Sequence, residues 1–303
     1  MQITALTRLQ GGYPFPQRDG VVPTSDAAGE VVAVGSKVKI WKEGDKVLTL
    51  FNQGHLAGAV DQVSLGGGVG GMVDGGLQQY GVFNEYGVVR QPSNLNDVES
   101  ASLCCAGLTA WNALYGVEGK KLMPGQWVLT QGTGGVSIFA VQFAKAAGAR
   151  VIATTSSKDK MDKLKKLGAD HVINYKEDQN WGETAKKLTG GVGVDHVIEV
   201  GGPSTTRNSL KAIKFEGIIS IIGFIGGFKE EKPPVLVDAL MHICTVRGIL
   251  VGSRAQLEDM CLAVEANNIK PVIDQTFPLE KAKEAYQHQW DQGHFGKVGI
   301  SIE

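Results

Sequence analysis

The sequence has few cysteines, and none of them lies in a recognisable cluster. There are four in 303 residues, at Cys104, Cys105, Cys244 and Cys261. Their spacing matches neither a zinc knuckle nor the disulfide framework of a small secreted protein. We therefore expect a protein of the reducing cytoplasm.

Two further absences exclude classes of partner. The formal net charge is only −1, with 30 basic against 31 acidic residues, so the chain has no electrostatic footprint for nucleic acid. The longest uncharged apolar stretch, around Ile218 to Phe228, is far shorter than a bilayer span, and the opening MQITALTRLQ has no signal-peptide pattern. We expect neither nucleic acid nor a membrane as a partner.

Composition and the placement of glycine indicate a packed protein with two kinds of segment. Apolar residues make up 43% and charged residues 20%, as in ordinary globular proteins. The stretch from Gly54 to Gly87 is rich in glycine and has little periodicity, which is typical of loops. It is flanked by short β-type runs, namely EVVAV (30–34), KVLTLF (46–51) and YGVV (86–89). A small antiparallel β unit is predicted here.

From about residue 118 onward, strands alternate with helices. The strand-like runs are WVLTQ, RVIATT, HVINY, DHVIEV, GIISIIGF and TVRGILVG, and amphipathic segments lie between them. This alternation predicts an α/β fold with a doubly wound parallel sheet of about six strands. The tail adds two helices, near 256–267 and 279–289, and a last strand KVGISI, which we expect to return to the β unit.

The turn from Gly132 to Ser137 nearly repeats the dinucleotide-binding spacing G-x-G-x-x-G. It follows the first buried strand and precedes a helix, where Gly134 would let the backbone approach a pyrophosphate at the positive helix end. Ser137 replaces the third glycine, which is a small exchange. The alternative is an ordinary glycine-rich turn without a ligand.

The end of the second strand bears on the choice between NAD and NADP. Selectivity for NAD usually requires an acid about 20 residues after the turn, yet no acid ends the strand in VIATTSSKDK. Thr155, Ser156 and Ser157 offer hydroxyl groups there. Lys158 and Lys160 offer cations that a bound phosphate would neutralise, which indicates NADPH. The alternative is that these lysines only form a solvated helix face.

Several motifs together resemble one protein family. They are PTSDAAGEVVAVGSKV, EGDKV, DGGLQQYGVFNEYGVV, AGLTAWNAL, QGTGGVSIFAVQFAKAAGARVIATTSS and LGADHVINYKE. In combination they resemble the medium-chain dehydrogenase/reductase superfamily, and within it the zinc-free quinone oxidoreductase (zeta-crystallin-like) branch, which includes zinc-type alcohol dehydrogenase-like proteins. The resemblance implies a β-rich GroES-like catalytic domain (1–112 and 253–303), a Rossmann NADP-binding domain (113–252), a cleft between them, and a homo-oligomer, either dimer or tetramer.

The resemblance also implies a set of coenzyme contacts. The pyrophosphate would be held by Thr133, Gly134, Gly135 and Val136, and the 2′-phosphate by Ser156, Lys160 and Tyr175. The nicotinamide side would be lined by Thr109, Val200, Gly201, Gly202, Phe224, Ile225, Leu250, Val251 and Gly252. Lys297 is a weaker match, with a solvated strand lysine as the alternative.

The same resemblance bears on metal binding. In the zinc alcohol dehydrogenases of the superfamily a G-H-E motif supplies a histidine ligand, and the matching residues here are Thr24, Ser25 and Asp26. Cys105 stands where another ligand would be, but a catalytic zinc needs three protein ligands. We expect no metal, and we interpret Cys105 as a small buried residue.

Without a metal, the chemistry best supported is hydride transfer from NADPH to a small-molecule acceptor, either a quinone or an α,β-unsaturated carbonyl. Asn52 and His55 are candidate donors to the developing oxygen, each with a structural loop role as its alternative. The remaining strand histidines are interpreted as structural, namely His171, His196 and His242. Two other functions stay open: an alcohol dehydrogenase or carbonyl reductase, and an NADPH-binding protein of crystallin-like or regulatory character.

The beginning of the chain departs from the family pattern. Gly11 and Gly12 come almost at once, and the polar motif N-Y-R-D that precedes this glycine pair in the family does not appear. We therefore expect part of the substrate wall and of the β core to be missing, which would affect catalysis more than coenzyme binding.

Overall fold

A computed structural model describes residues 17–227 and 233–302. The chain divides into two compact units. One is the split unit, Met1–Leu108 with Val251–Glu303, and the other is the parallel-sheet unit, Thr109–Leu250. Gly11 and Gly12, on which the expectation of a shortened β core rests, lie outside the described residues.

Helices and strands alternate along most of the described chain. The first part contains β1 (Ala28–Glu30), β2 (Lys46–Thr49), α1 (Gln62–Leu65), β3 (Val88–Arg90), α2 (Asp97–Ala101), a π-helical turn (Leu103–Gly107) and α3 (Leu108–Tyr115). The middle part contains β4 (Trp127–Gln131), α4 (Gly135–Ala146), β5 (Arg150–Thr155), α5 (Lys158–Lys166), β6 (His171–Asn174), α6 (Trp181–Leu188), β7 (Val194–Glu199), α7 (Pro203–Ala212), β8 (Ile213–Ile221), α8 (Val237–Met241) and β9 (Thr245–Gly248). The last part contains α9 (Arg254–Ala266), β10 (Ile273–Pro278), a 3-10 turn (Leu279–Lys281), α10 (Ala282–Trp290) and β11 (Lys297–Ser301).

The parallel-sheet unit is built on a six-stranded sheet, counted over its described residues, in the order β6-β5-β4-β7-β8-β9. All neighbouring strands are parallel. The first strand of the unit therefore lies in the middle, and the chain order reverses between β4 and β7, as in the Rossmann fold. The predicted α/β fold class is confirmed.

The sheet forms because its central strands bury apolar side chains on both faces. Leu129, Ile152, Val197 and Ile219, from four different strands, are inaccessible to solvent. Trp181 at the start of α6 packs on the same cluster. Burying one such side chain contributes roughly 1.5–3 kcal/mol, so the continuous apolar runs in the sequence dictate central, doubly covered strands.

The split unit contains a three-stranded antiparallel sheet, β1-β2-β3, and a parallel pair, β10-β11, within the described residues. The strand predicted at 30–34 is wrong beyond Glu30, where β1 ends, because the chain leaves the sheet once Val31 has bonded to Gly44 and Asp45. The side chains of Val32 and Val34 beyond this point are exposed, so they have no sheet face to cover.

Capping boxes begin α2 at Asn96 and α9 at Ser253. Among the described residues, no helix has the length and hydropathy that a bilayer crossing needs.

His196, in the middle of β7, is buried in the parallel-sheet unit. The residue is 3% exposed, and Nδ1 has no hydrogen-bond partner among the described atoms. Burial lowers the pKa of this imidazole to about 4, against an opposing effect of Asp195. The ring is therefore neutral in the folded protein at pH values where the unfolded chain would already be protonated.

This burial predicts a loss of stability in mild acid. Between the unfolded pKa of 6.5 and the folded value near 4 the unfolded chain binds the extra proton, so the free energy of unfolding falls as pH is lowered. From pH 7 to pH 5 we expect this residue to cost about 2 kcal/mol. Urea titrations at several pH values should show a shallower pH dependence of the free energy of unfolding for His196→Gln than for the wild type. An unchanged slope in His196→Gln would contradict the assignment.

Candidate coenzyme site

The turn after β4 leaves the start of a long helix open. Gly132 has a positive φ of 71°, and its amide donates to the carbonyl oxygen of Thr154 at 2.8 Å. Gly134 is the N-cap of the 12-residue helix α4, with no side-chain hydrogen bond to the cap. A Cβ added at Gly134 would meet no protein atom within 4 Å, and the φ of −76° suits any residue. The protein itself therefore does not require glycine there, but an anion resting on the helix N-terminus would.

The serine that replaces the third glycine has a structural role. Ser137 is buried, and its hydroxyl donates to the carbonyl oxygen of Gln131 at 2.6 Å. The bond ties the first turn of α4 to the last residue of β4. The exchange of glycine for serine thus keeps the helix close to the strand, which is what the glycine does in the usual fingerprint.

Most of the predicted coenzyme contacts lie at one edge of the sheet. Parallel strands all end at the same edge, and ligands of such sheets bind outside the carboxyl ends, where the strand order reverses. The described residues that follow these strand ends are Thr133, Gly134, Gly135, Val136, Ser156, Tyr175, Val200, Gly201, Gly202, Phe224, Ile225 and Leu250. Lys160 lies in the first turn of α5, and Thr109 is buried near the start of α3.

Two of these loops pack backbone against backbone. The amide of Ile225 donates to the carbonyl of Val200 at 3.2 Å, and the amide of Gly226 donates to that of Gly201 at 2.8 Å. Gly202 has a φ of 88°, and a Cβ there would lie 2.8 Å from the Cα of Phe224. A side chain at this position would push the two loops apart. Their shape is therefore fixed by the protein and not left to a ligand.

The ends of β5 and β6 lie side by side, with Thr155 opposite Asn174. Ser156 and Lys160 are partly exposed, and Tyr175 is 38% exposed. The acid nearest along the chain, Asp159, is exposed in the first turn of α5. The strand end thus presents a hydroxyl and no carboxylate, as the sequence predicts.

A buried carboxylate that sequence reasoning missed lies at the end of β7. Glu199 is inaccessible to solvent, and its side chain accepts a hydrogen bond from Gln131 Nε2 at 2.8 Å. These two residues end the strands between which the chain order reverses. The signal in the sequence is an acid that closes an otherwise apolar strand, directly before Val200, and the strand pattern alone gives that acid no role.

The remaining predicted residues belong to the split unit. Asn52 and His55 are almost fully buried, and Nδ2 of Asn52 and Nδ1 of His55 have no hydrogen-bond partner among the described atoms. The other ring nitrogen of His55 lies 3.0 Å from the carbonyl of Gly58. Val251 has a positive φ of 53°, and a Cβ at Gly252 would come within 2.9 Å of Leu108. Contact of Val251 and Gly252 with a coenzyme stays a prediction.

Lys297 is not the solvated strand lysine considered as its alternative role. Its side chain and that of Asp26 are each 3% exposed, and Nζ donates to the carboxylate at 2.7 Å. Burial alone would raise the pKa of Asp26, but the charge and hydrogen bond of Lys297 hold it below its ordinary value. Burial would likewise lower the pKa of Lys297, and the Asp26 carboxylate holds it above its ordinary value. The pair is therefore ionised in the folded protein, and contact of Lys297 with a coenzyme stays a prediction.

The donor atoms at the positions that match zinc ligands do not suit zinc. Ser25 offers a hydroxyl, Asp26 is bound to Lys297, and Cys105 is a buried thiol in the π-helical turn. Over residues 17–227 and 233–302, no three His, Cys, Asp or Glu side chains are placed to hold a metal ion. A catalytic zinc would require three such ligands and an open position.

Comparisons with known proteins agree with this architecture. Two family models match the chain, the alcohol dehydrogenase GroES-like domain over residues 3–93 and the zinc-binding dehydrogenase over residues 135–265. A zinc-type alcohol dehydrogenase-like protein of Schizosaccharomyces pombe is 43% identical over 296 residues, which cover 97% of this chain and 86% of the relative. A chloroplast envelope quinone oxidoreductase homolog of Arabidopsis thaliana is 32% identical, over 96% of this chain and 84% of the relative. The crystal structure of an NAD-dependent alcohol dehydrogenase is 30% identical, with a TM-score of 0.86 over 100% of this chain and 89% of that one.

Proposed function

The chain belongs to the medium-chain dehydrogenase/reductase superfamily of oxidoreductases, and we propose that it is an NADPH-dependent, zinc-independent member that reduces a quinone or an α,β-unsaturated carbonyl. The observation that carries the proposal is the open N-terminus of α4 at the place where the strand order reverses. Gly134 keeps this place clear of side-chain atoms. An anionic pyrophosphate is the ligand that such a cradle suits.

The end of β5 supports NADPH over NADH. Ser156 and Lys160 would bind the 2′-phosphate, with Tyr175 beside them on the neighbouring strand end. A carboxylate there would instead bind the free ribose hydroxyl of NADH, and β5 ends without one. The solved relatives with this fold include an NAD-dependent alcohol dehydrogenase and a 2-octenoyl-CoA carboxylase reductase in complex with NADP, so the fold alone does not decide the coenzyme.

The residues of the chain orient the reaction, since bound NADPH supplies the hydride. The loops Val200–Gly202 and Phe224–Gly226 are fixed against each other and would hold the nicotinamide ring in one orientation. Asn52 and His55 each have a buried nitrogen with no hydrogen-bond partner in the part of the chain that the structure describes, and we propose them as candidate donors to the oxygen of the acceptor. A quinone or an enone needs no metal to accept hydride, and the described residues at the zinc-matching positions offer none of the required ligand sets.

An acceptor panel tests the proposed reaction. NADPH oxidation is followed with quinones and enones on protein freed of metal by a chelator, with NADH run in parallel. We expect turnover with NADPH and at least one of these acceptor classes. Reduction of NADP⁺ by alcohols in the same preparation would instead indicate an alcohol dehydrogenase, the class to which one solved relative belongs. Tight NADPH binding without turnover on any acceptor would indicate a binding protein.

We also propose that the protein forms a homo-oligomer, dimer or tetramer, in the cytoplasm. In the described sheet β9 pairs only with β8, so one strand edge is open. Leu236, Leu240 and Met241, which precede β9, are between 71% and 96% exposed. A two-fold copy could pair along this edge and cover these side chains.

The cysteines form no disulfide, which suits a reducing compartment such as the proposed cytoplasm.

Light scattering measures the oligomeric state. We expect the wild type to be larger than a monomer and Leu240→Glu with Met241→Glu to shift it toward the monomer, because two buried charges would oppose the contact. Leu262→Glu, on an equally exposed leucine of α9, is the matched control and should leave the oligomer intact. A monomeric wild type would contradict the proposal.

A further inference from the structure

Glu199 is a carboxylate shielded from solvent that accepts hydrogen bonds from several segments. Oε1 accepts from the amides of Gly201 at 2.9 Å and Gly202 at 3.0 Å, and from the hydroxyl of Thr205 at 2.5 Å. Oε2 accepts from Nε2 of Gln131 and from the hydroxyl of Ser209. These donors lie at the end of β4, in the loop after β7 and in the first two turns of α7.

The side chain of Gln131 hydrogen-bonds both to Glu199 and to the loop after β7. Its Oε1 accepts from the amides of Val200 at 3.2 Å and Gly201 at 3.1 Å, while its Nε2 donates to Glu199. The main-chain oxygen of Gln131 accepts the hydroxyl of Ser137 from α4. The pair therefore joins the pyrophosphate turn after β4 to the loop after β7.

The hydrogen-bond pattern fits two acceptor oxygens at position 199, as a glutamate provides and a glutamine does not. The glycine amides on Oε1 and the Gln131 amide on Oε2 can only donate, so both oxygens must accept. An amide at position 199 would turn its own NH2 group toward one of these donors. A buried donor that loses its acceptor destabilises the protein. Two N–H groups that point at each other also repel and move apart, which would change the shape of the loop.

We propose that Glu199, braced by Gln131, is the positioning residue that shapes the Val200–Gly202 loop for the nicotinamide half of the coenzyme. The proposal rests on the proposed function. The carbonyls of Val200 and Gly201 are already occupied by Ile225 and Gly226. The amides of the same loop are occupied by Glu199 and Gln131, so the loop has one shape only while this pair is intact. The adenosine half would lie at the ends of β5 and β6. None of the hydrogen bonds of Glu199 and Gln131 given above reaches these strand ends.

The test compares two ligands that share the adenosine half. Dissociation constants are measured for NADPH and for adenosine 2′,5′-bisphosphate with the wild type, Glu199→Gln and the control Glu183→Gln, an exposed glutamate that pairs with Lys211. We expect Glu199→Gln to weaken NADPH about tenfold or more and adenosine 2′,5′-bisphosphate less than about twofold. Glu183→Gln should change neither.

A swapped variant separates positioning from general damage. Gln131→Glu combined with Glu199→Gln restores an acceptor for every obligate donor, because the new amide at position 199 can donate to the new carboxylate at position 131 and still accept from the glycine amides. It should recover NADPH affinity to within about threefold of the wild type. If Glu199→Gln does not fold, Thr205→Val removes a single donor to the same carboxylate and should weaken NADPH but not adenosine 2′,5′-bisphosphate.

The outcomes distinguish this proposal from the proposed function. Equal losses for both ligands in Glu199→Gln, or no loss for either, would overturn the positioning role while leaving NADPH binding by the wild type in place. A swapped variant that binds NADPH no better than Glu199→Gln would also overturn it. A wild type that binds neither ligand would overturn the proposed function itself and the positioning role with it.

Discussion

Replacing Lys297 by methionine is expected to lower the free energy of unfolding by about 3–5 kcal/mol, because the substitution removes the Lys297 ammonium from the buried Asp26 carboxylate. The two charged groups lie 2.7 Å apart and are each 3% exposed. Methionine fills a similar volume, so the loss reports the charge and not a cavity. Urea or thermal unfolding of the purified variant measures it.

Two controls separate this effect from the loss of any lysine. Asp26→Asn combined with Lys297→Met removes both charges, and it should recover most of the lost stability. Lys46→Met breaks ion pairs with Glu30 and Asp97 in which all three side chains are about half exposed, and it should change the free energy of unfolding by less than about 1 kcal/mol. If Lys297→Met is no more destabilising than Lys46→Met, the buried pair does not stabilise the fold as proposed.

Replacing Ser156 by aspartate and Lys160 by alanine is expected to reverse the coenzyme preference. The new carboxylate at the end of β5 would repel a 2′-phosphate and accept the ribose hydroxyl of NADH, and the lost ammonium would remove a phosphate contact. A hydrogen bond to a charged group contributes about 1.5–3 kcal/mol, so NADPH affinity should fall by roughly 10- to 100-fold while NADH affinity is kept or rises.

Lys158→Ala measures the contribution of the other lysine that the sequence offers to a bound phosphate, and we expect that contribution to be small. Lys158 lies in the same first turn of α5, but its side chain is 83% exposed and its ammonium lies 3.9 Å from Glu177. Its removal should weaken NADPH by less than about threefold. An equal loss of affinity for NADPH and for NADH in the double variant would show that Ser156 and Lys160 support the loop structure and do not select the 2′-phosphate.

The parallel-sheet unit could be predicted because its pattern is local. WVLTQ is β4 residue for residue, and one of the amphipathic segments predicted between the strands, Trp181–Leu188, is α6. Each central strand is an apolar run that ends in a turn, so the chain neighbours alone carry the information. The valine-rich run at 30–34 has the same local character. However, its antiparallel partner β2 extends only as far as Lys46, opposite Glu30, and no local pattern in the run indicates this.

The features that sequence reasoning missed depend mostly on residues far apart in the chain. Asp26 and Lys297 are 271 positions apart, and Gln131 and Glu199 are 68 apart. Neither pair leaves a periodic trace, and each member has an ordinary local explanation. Helix α2 is an exception, since sequence reasoning missed it even though its signal is local. Asn96 and Glu99 form a capping box that can be read directly from the sequence.

The central claim is that the glycine turn and the acid-free end of β5 together bind NADPH. The most direct measurement is the dissociation constant of the wild-type protein for NADPH and for NADH, by fluorescence titration under the same salt and pH. We predict that NADPH binds at least about tenfold more tightly than NADH. Equal constants, or tighter binding of NADH, would contradict the claim.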